Sequence, residues 1–245
     1  QNDLLSFIRP SVLLVSIISL ILIQPDLGTS AVIFASALGV LFVAGVPKRQ
    51  FVLVFLIGLI GIALLIIYVP WRWERIISFV DPWSAPDKQG YQLTVSLMSI
   101  GRGDWFGVGL GQSLMKMGYL PEAHTDFIFS ILIEELGLLT GILIVAMLFG
   151  ISFRIFFIGR QSLQRKNHFG FFFCFGAAIL IGLHVFINVG VAVGILPTKG
   201  LTLPLFSAGG TNLLIMFSII GLILRIDYEN KISMPIASIK KRVNF

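Results

Sequence analysis

Apolar residues fall along this chain in long unbroken runs, not in the one-face patterns of helices and strands that have water on one side. Five runs lie at 29–46, 51–69, 127–149, 169–189 and 211–226. Each approaches or reaches the roughly 20 residues that a helix needs to cross a hydrocarbon core about 30 Å thick. A sixth, at 11–23, is short unless its helix extends back toward Leu4. It stops at Gln24-Pro25-Asp26-Leu27-Gly28, where proline and glycine interrupt a helix. That break reads as a tight turn between two spans or as a re-entrant feature, and two spans is the preferred reading. The pattern predicts an all-α fold: a polytopic transmembrane helix bundle with about six spans, forming one membrane domain over 1–245.

Two polar segments separate these runs. The longer, 70–125, is a large loop of the kind that tends to carry function. Within it, 91–100 alternates apolar and polar residues enough to make a short interfacial helix. The shorter segment is 194–210. No soluble domain boundary, low-complexity stretch or internal repeat is visible.

Composition sharpens this picture. Hydrophobic residues make up 56% of the chain and charged ones 12%, about half the roughly 25% of soluble domains. A mean hydropathy of +0.95 agrees. So few charges cannot cover the surface of a water-soluble fold of this size. The net charge of +6 raises nucleic acid as a partner, but the charges cluster beside the apolar runs, as membrane topology requires. Placing Lys48-Arg49 in the cytoplasm puts Arg9, Arg154, Arg160, Arg165, Lys166, Arg225, Lys231, Lys240, Lys241 and Arg242 on the same side. Only Arg72, Arg75, Lys88, Arg102, Lys116 and Lys199 then lie outside, and both polar segments are extracytoplasmic. The basic tail reads as a membrane-surface anchor. The lone Cys174 lies inside an apolar run, so no intrachain disulfide forms and no thiol metal site is indicated. The chain starts at Gln1 with no signal peptide and reads as a piece of a longer protein.

Candidate chemistry concentrates in the outer segments. Arg72, Trp73, Glu74 and Arg75, followed by Asp81-Pro82-Trp83, form either a rim for an anionic head group or an aromatic belt with snorkelling arginines. Composition favours the belt. Gly101, Gly103, Gly107, Gly109 and Gly111 match no nucleotide-binding pattern and fit flexible turns. Residues 116–126 place Lys116, Glu122, His124 and Asp126 where the chain re-enters the membrane. Asp126 reads as an N-cap or as a general base at the bilayer boundary, with better odds for the cap on spacing alone. Glu134 and Glu135 follow two turns later as intramembrane polar residues, where a carboxylate is costly and faces the bundle interior or a water-filled cavity. His184 and Asn188, at i and i+4, fit interhelical hydrogen bonding. Lys199, in Pro197-Thr198-Lys199-Gly200, is either a point charge for a phosphate or part of a plain turn. No metal-ligand pattern is visible.

The motifs Gln24-Pro25-Asp26-Leu27-Gly28, Gly90-Tyr91-Gln92 and Gly107-x-Gly109-x-Gly111 occur in order along the chain. Leu120-Pro121-Glu122-Ala123-His124-Thr125-Asp126, Glu134-Glu135-Leu136-Gly137 and Leu196-Pro197-Thr198-Lys199-Gly200-Leu201-Thr202-Leu203-Pro204 complete the series. With these motifs the chain resembles the SEDS family (shape, elongation, division and sporulation) nearly end to end, and within it the FtsW-like division branch. The family has ten spans, so the chain resembles the last six. It departs from the family at 207–212, which reads Ser-Ala-Gly-Gly-Thr-Asn in place of Ser-Tyr-Gly-Gly-Ser-Ser, and at Val95, where Gln is frequent.

The resemblance implies a peptidoglycan glycosyltransferase that polymerises lipid II at the division septum of the bacterial cytoplasmic (inner) membrane. It implies partnership with a class B penicillin-binding protein and other divisome membrane proteins. The family's catalytic aspartate aligns with Asp126, which shifts the reading of this residue toward general base with capping as a second duty. Arg75, Lys116, Glu122, His124, Lys199 and Ser207 become candidates for binding lipid II and the growing strand. The cofactor is left open: a divalent cation such as magnesium would suit a pyrophosphate leaving group, though no ligand set is visible. A lipid flippase and a non-catalytic scaffold that activates the transpeptidase are the rival classes.

Overall fold

A computed structural model describes residues 4–24, 26–84, 86, 88 and 90–232. Pro25 and the basic tail residues Lys240, Lys241 and Arg242 lie outside the described residues. The described residues form nine helices and no strands: α1 (Leu4–Ile23), α2 (Leu27–Val43), α3 (Lys48–Ile67), α4 (Pro70–Val80), α5 (Tyr91–Gly103), α6 (Ile128–Leu136), α7 (Leu138–Gln164), α8 (His168–Ala192) and α9 (Gly210–Ile232). Four of these, α3, α7, α8 and α9, are long and apolar enough to cross a membrane, and α2 and the Pro10–Ile23 part of α1 are shorter apolar helices.

The centre of the bundle is the antiparallel pair α7 and α8, joined by the turn at Arg165-Lys166-Asn167. Asn167 caps α8 by accepting from the Gly170 amide at 2.9 Å. Cys174, Ile181, Ile155 and Ile158 from this pair pack with Met216, Ile223 and Ile226 of α9 in a dry core. No residue of α3 is buried, and its outward side chains, such as Ile57, Leu59 and Ile60, are apolar. Such a surface is stable only when lipid replaces water as the solvent. The chain is a multi-pass membrane helix bundle, as its hydrophobic pattern predicts.

One expected element is corrected. The run 127–149 does not make a single span, because Gly137 divides it into the short α6 and the 27-residue α7. Gly137 adopts φ 84° and ψ 166°, a backbone conformation open to glycine and costly for other residues. A Cβ there would run into the Trp105 carbonyl and come within 2.6 Å of the Gly107 nitrogen. The loop after α5 uses this space: Leu138 donates to the Asp104 carbonyl at 2.9 Å, and Val108 to that of Glu134, also at 2.9 Å. Gly137→Ala is therefore expected to lower the stability of the full-length protein by about 2–4 kcal/mol, combining backbone strain with overpacking. Thermal melting in detergent checks this.

The expected helix at 91–100 is present as α5, but it packs inside the protein, with Leu93, Val95, Ser96 and Ser99 buried. Helices α5 and α6 lie side by side and run the same way, with Ser96 against Ser130 and Ser99 against Glu134. Helix α4 is the element that sequence reading left as loop. Pro70 at its first turn and a strong apolar face, exposing Trp73 and Ile77, lay it along the end of α3.

Candidate active site

Two turns bring the chemistry together at the end of the bundle opposite Lys48-Arg49. The first precedes α6. There the Glu122 carbonyl accepts from the amides of Thr125, Asp126 and Phe127 at 3.1, 3.1 and 3.2 Å. Glu122 itself is held at φ 55°, a left-handed conformation that costs a non-glycine residue about 1–2 kcal/mol. This tight turn aims Asp126 away from the helix that follows. The second turn, 197–201, closes with the Leu201 amide donating to the Lys199 carbonyl at 2.9 Å.

The capping role expected of Asp126 is not realised. Helix α6 starts after Phe127 and has no side-chain cap. The half-buried Asp126 carboxylate instead lies against Gly200, where a Cβ would sit 3.3 Å from its Oδ2 atom. A side chain at position 200 would press on the acid, which would have to give by a few tenths of an ångström. Burial, and then the nearby charges of Glu122 and Asp26, raise its pKa to about 6, while Arg75 pulls it down. The group is thus ionised at neutral pH and takes up a proton far more readily than an ordinary aspartate.

Gly200 and Lys199 also line a cavity of about 270 Å³ with Asp26, Arg72, Arg75 and Thr198. Asp26 enters as the N-cap of α2, its Oδ1 accepting from the Thr29 amide at 3.0 Å. Arg75 donates to the Thr198 carbonyl at 3.4 Å, which ties α4 to the second turn. Arg72 is 6% exposed, and its Nε atom finds no partner among the described residues. Its guanidinium and that of Arg75 both lie over the Trp71 ring, at 5.1 and 5.2 Å. Burial, then Arg75 and Arg72, lower the Lys199 pKa, against which Asp26 acts. Three cations, one of them buried with a free donor, share with Asp26 a cavity whose remaining lining is mostly apolar, and such a set can pair with an anion.

The remaining sequence candidates fall elsewhere. Lys116 pairs with Glu135, which also accepts from the amides of Gly111 and Ser113 at 3.0 and 3.3 Å. Glu134 is fully buried, bonded to Ser99 at 2.9 Å, Arg102 at 2.9 Å, the Leu114 amide at 3.0 Å and the Ser113 hydroxyl. Both carboxylates therefore hold the loop 104–118 onto α5 and α6. Glu122 is exposed and accepts from the Thr125 hydroxyl at 2.7 Å. The exposed His124 contributes its carbonyl to Ala208 at 2.9 Å. Ser207 is 1% exposed, its hydroxyl donating to the Thr125 carbonyl at 2.6 Å and accepting from Leu203 at 2.7 Å. No group of three His, Cys, Asp or Glu side chains that could hold a metal ion occurs among the described residues, and Asp26 is the one carboxylate among the cavity's lining residues named above.

Sequence reading missed Asp26 as a site residue, set Arg72 aside as a belt arginine, and took Asn188 for interhelical glue. The motif around Asp26 was a usable signal. The placement of Arg72 in a cavity was not visible, because it depends on which face α4 turns inward.

The model of the FtsW/RodA/SpoVE family, described as cell cycle proteins, matches residues 1–232. The chain belongs to the SEDS family. Among SEDS proteins, the probable peptidoglycan glycosyltransferase FtsW of Wigglesworthia glossinidia brevipalpis is 47% identical over 98% of this chain and 63% of its own length. The protein of the same name from Aliivibrio salmonicida is 45% identical over 95% of this chain and 58% of its own. A solved chain from a peptidoglycan synthase complex that coordinates polymerization and crosslinking superposes with a TM-score of 0.69 at 30% identity. That superposition covers 93% of this chain and 63% of the solved one. The chain thus spans about six tenths of the length of these SEDS relatives.

Proposed function

We propose that the SEDS protein to which this chain belongs is a peptidoglycan glycosyltransferase that polymerises lipid II outside the cytoplasmic membrane during cell division. The observation that carries the reading is a half-buried Asp126 beside a cavity with three cations, in a chain 43–47% identical to proteins named for this activity. In the reaction, the 4-hydroxyl oxygen of the acceptor lipid II attacks the anomeric carbon of the lipid-linked strand. The Asp126 carboxylate takes the hydroxyl proton as the new C–O bond forms. The bond from the anomeric carbon to the pyrophosphate oxygen breaks, and undecaprenyl pyrophosphate leaves. Arg72, Arg75 and Lys199 neutralise the charge that develops on it.

Lys116 is paired with Glu135 and does not line this cavity, so the neutralisation is assigned to the other three cations. Glu122 and His124 remain as contacts to the incoming sugar, being exposed beside Asp126. Ser207 serves through its hold on the Thr125 carbonyl. A class B penicillin-binding protein is the partner, and the division septum the site of action. Likeness to a chain of a peptidoglycan synthase complex supports this partnership.

Full-length protein and partner in liposomes, supplied with labelled lipid II, test the proposal. Glycan polymer is the expected product. Head-group translocation without polymer would make the protein a flippase, and partner binding with neither activity would make it a scaffold.

A further inference from the structure

The side chain of Asn188 lies near the end of α8 that faces the candidate site and is 1% exposed. An amide glue between spans would bond to another long helix. This one bonds to two loops: its Nδ2 donates to the Asp126 carbonyl at 2.8 Å and to the Leu201 carbonyl at 2.6 Å. Its Oδ1 atom is buried with no partner among the described residues. Leaving a buried acceptor unmade costs roughly 1–3 kcal/mol, a cost set against the two loop carbonyls that the amide satisfies. What the amide supplies, and an aliphatic group cannot, is a fixed distance between the turn that presents Asp126 and the turn that presents Lys199 and Gly200.

We infer that Asn188 is a positioning residue that latches these two turns together and so sets Asp126 against Gly200 and the cation-lined cavity. Ser207 and Ala208 stitch the same seam further along, through the carbonyls of Thr125 and His124. Asn188 holds the backbone of Asp126 itself and that of Leu201, the residue after Gly200. Because both donated hydrogens come from one planar group, neither turn can shift relative to the other without straining or breaking a bond to Asn188. The catalytic consequence rests on Asp126 being the general base, whereas the latch itself does not.

The test uses full-length protein with its partner in liposomes, comparing Asn188→Leu, Asn188→Asp and Asn188→Gln with wild type and Asp126→Asn. Leu and Asp remove both donors, while Gln keeps them. Expected for Leu and Asp is a fall in kcat of about 10²-fold, the typical effect of a displacement near 1 Å. The KM for lipid II rises by less than kcat falls, since Arg72 and Arg75 on α4 lie outside both turns and only Lys199 moves with its turn. Amide exchange at 122–127 and 198–203 rises together in both variants, and Gln restores part of the kcat. Wild-type exchange in Asn188→Leu and Asn188→Asp overturns the latch. So does a loss of activity that only tracks the loss of folded protein on melting. Full activity in Asp126→Asn would instead remove the general-base reading and leave the latch to be judged by exchange alone.

Discussion

Asp126→Asn in the full-length protein is expected to slow glycan polymerisation by ~10²–10⁴-fold, the usual worth of a positioned general base. Asparagine has nearly the same shape and cannot accept the hydroxyl proton. The substitution leaves the fold intact for reasons visible in the structure. Asp126 caps no helix, since α6 begins after Phe127 without a side-chain cap. Removing its charge relieves repulsion from Glu122 and Asp26. Substrate affinity is expected to stay near wild type, because Arg72, Arg75 and Lys199 still line the cavity. A kcat loss with unchanged KM separates this outcome from misfolding. Lipid II polymerisation followed by gel, with melting of the same preparation, checks both halves.

Glu134→Ala is expected to loosen the outer segment strongly. The Glu134 side chain is fully buried and takes four hydrogen bonds, from Ser99, Arg102, Ser113 and the Leu114 amide. Removing one partner of a buried ion pair costs roughly 3–5 kcal/mol, because the other is left desolvated. Arg102 is 35% exposed and can turn to water, so a loss of about 2–4 kcal/mol is expected. The effect is local before it is global. Loop 104–118 loses the bonds of Ser113 and Leu114 to the Glu134 carboxylate, and only its backbone bonds to α6 and the Glu135 side chain still hold it there. Protease added outside sealed liposomes is expected to nick this loop in the variant well before wild type. Equal nicking would mean that Glu134 does not hold the loop.

The bundle was legible because its apolar runs are long, and the bilayer makes length decisive. Gly137 shows where that logic stops. Residues 127–149 are apolar enough to read as one span, and only the left-handed glycine and the docked loop divide them. The Leu120–Asp126 run drew the reading of the site, and the structure sets Asp126 from this run against Gly200 at the edge of the cavity. The division of labour among the cations was hidden, since Lys116 lies ten residues from Asp126 in sequence yet bonds to Glu135. Arg72 was hidden for the opposite reason. Beside three tryptophans, Trp71, Trp73 and Trp83, it looks like part of an interfacial belt, and only the orientation of α4 buries it. Ser207 could not be sorted by sequence either, because a buried stitch and a substrate contact use the same hydroxyl.

The central claim is that an aspartate with a raised pKa removes the acceptor proton. Its most direct test is the single-turnover rate of glycan bond formation between pH 5 and 8, measured for full-length wild type and Asp126→Asn side by side. The carboxylate is the active form, so the wild-type rate should hold above the Asp126 pKa of about 6 and fall about tenfold one unit below it. The variant should run at its low residual rate with no such acid limb. A wild-type rate that stays flat down to pH 5, or the same limb in the variant, would contradict the account.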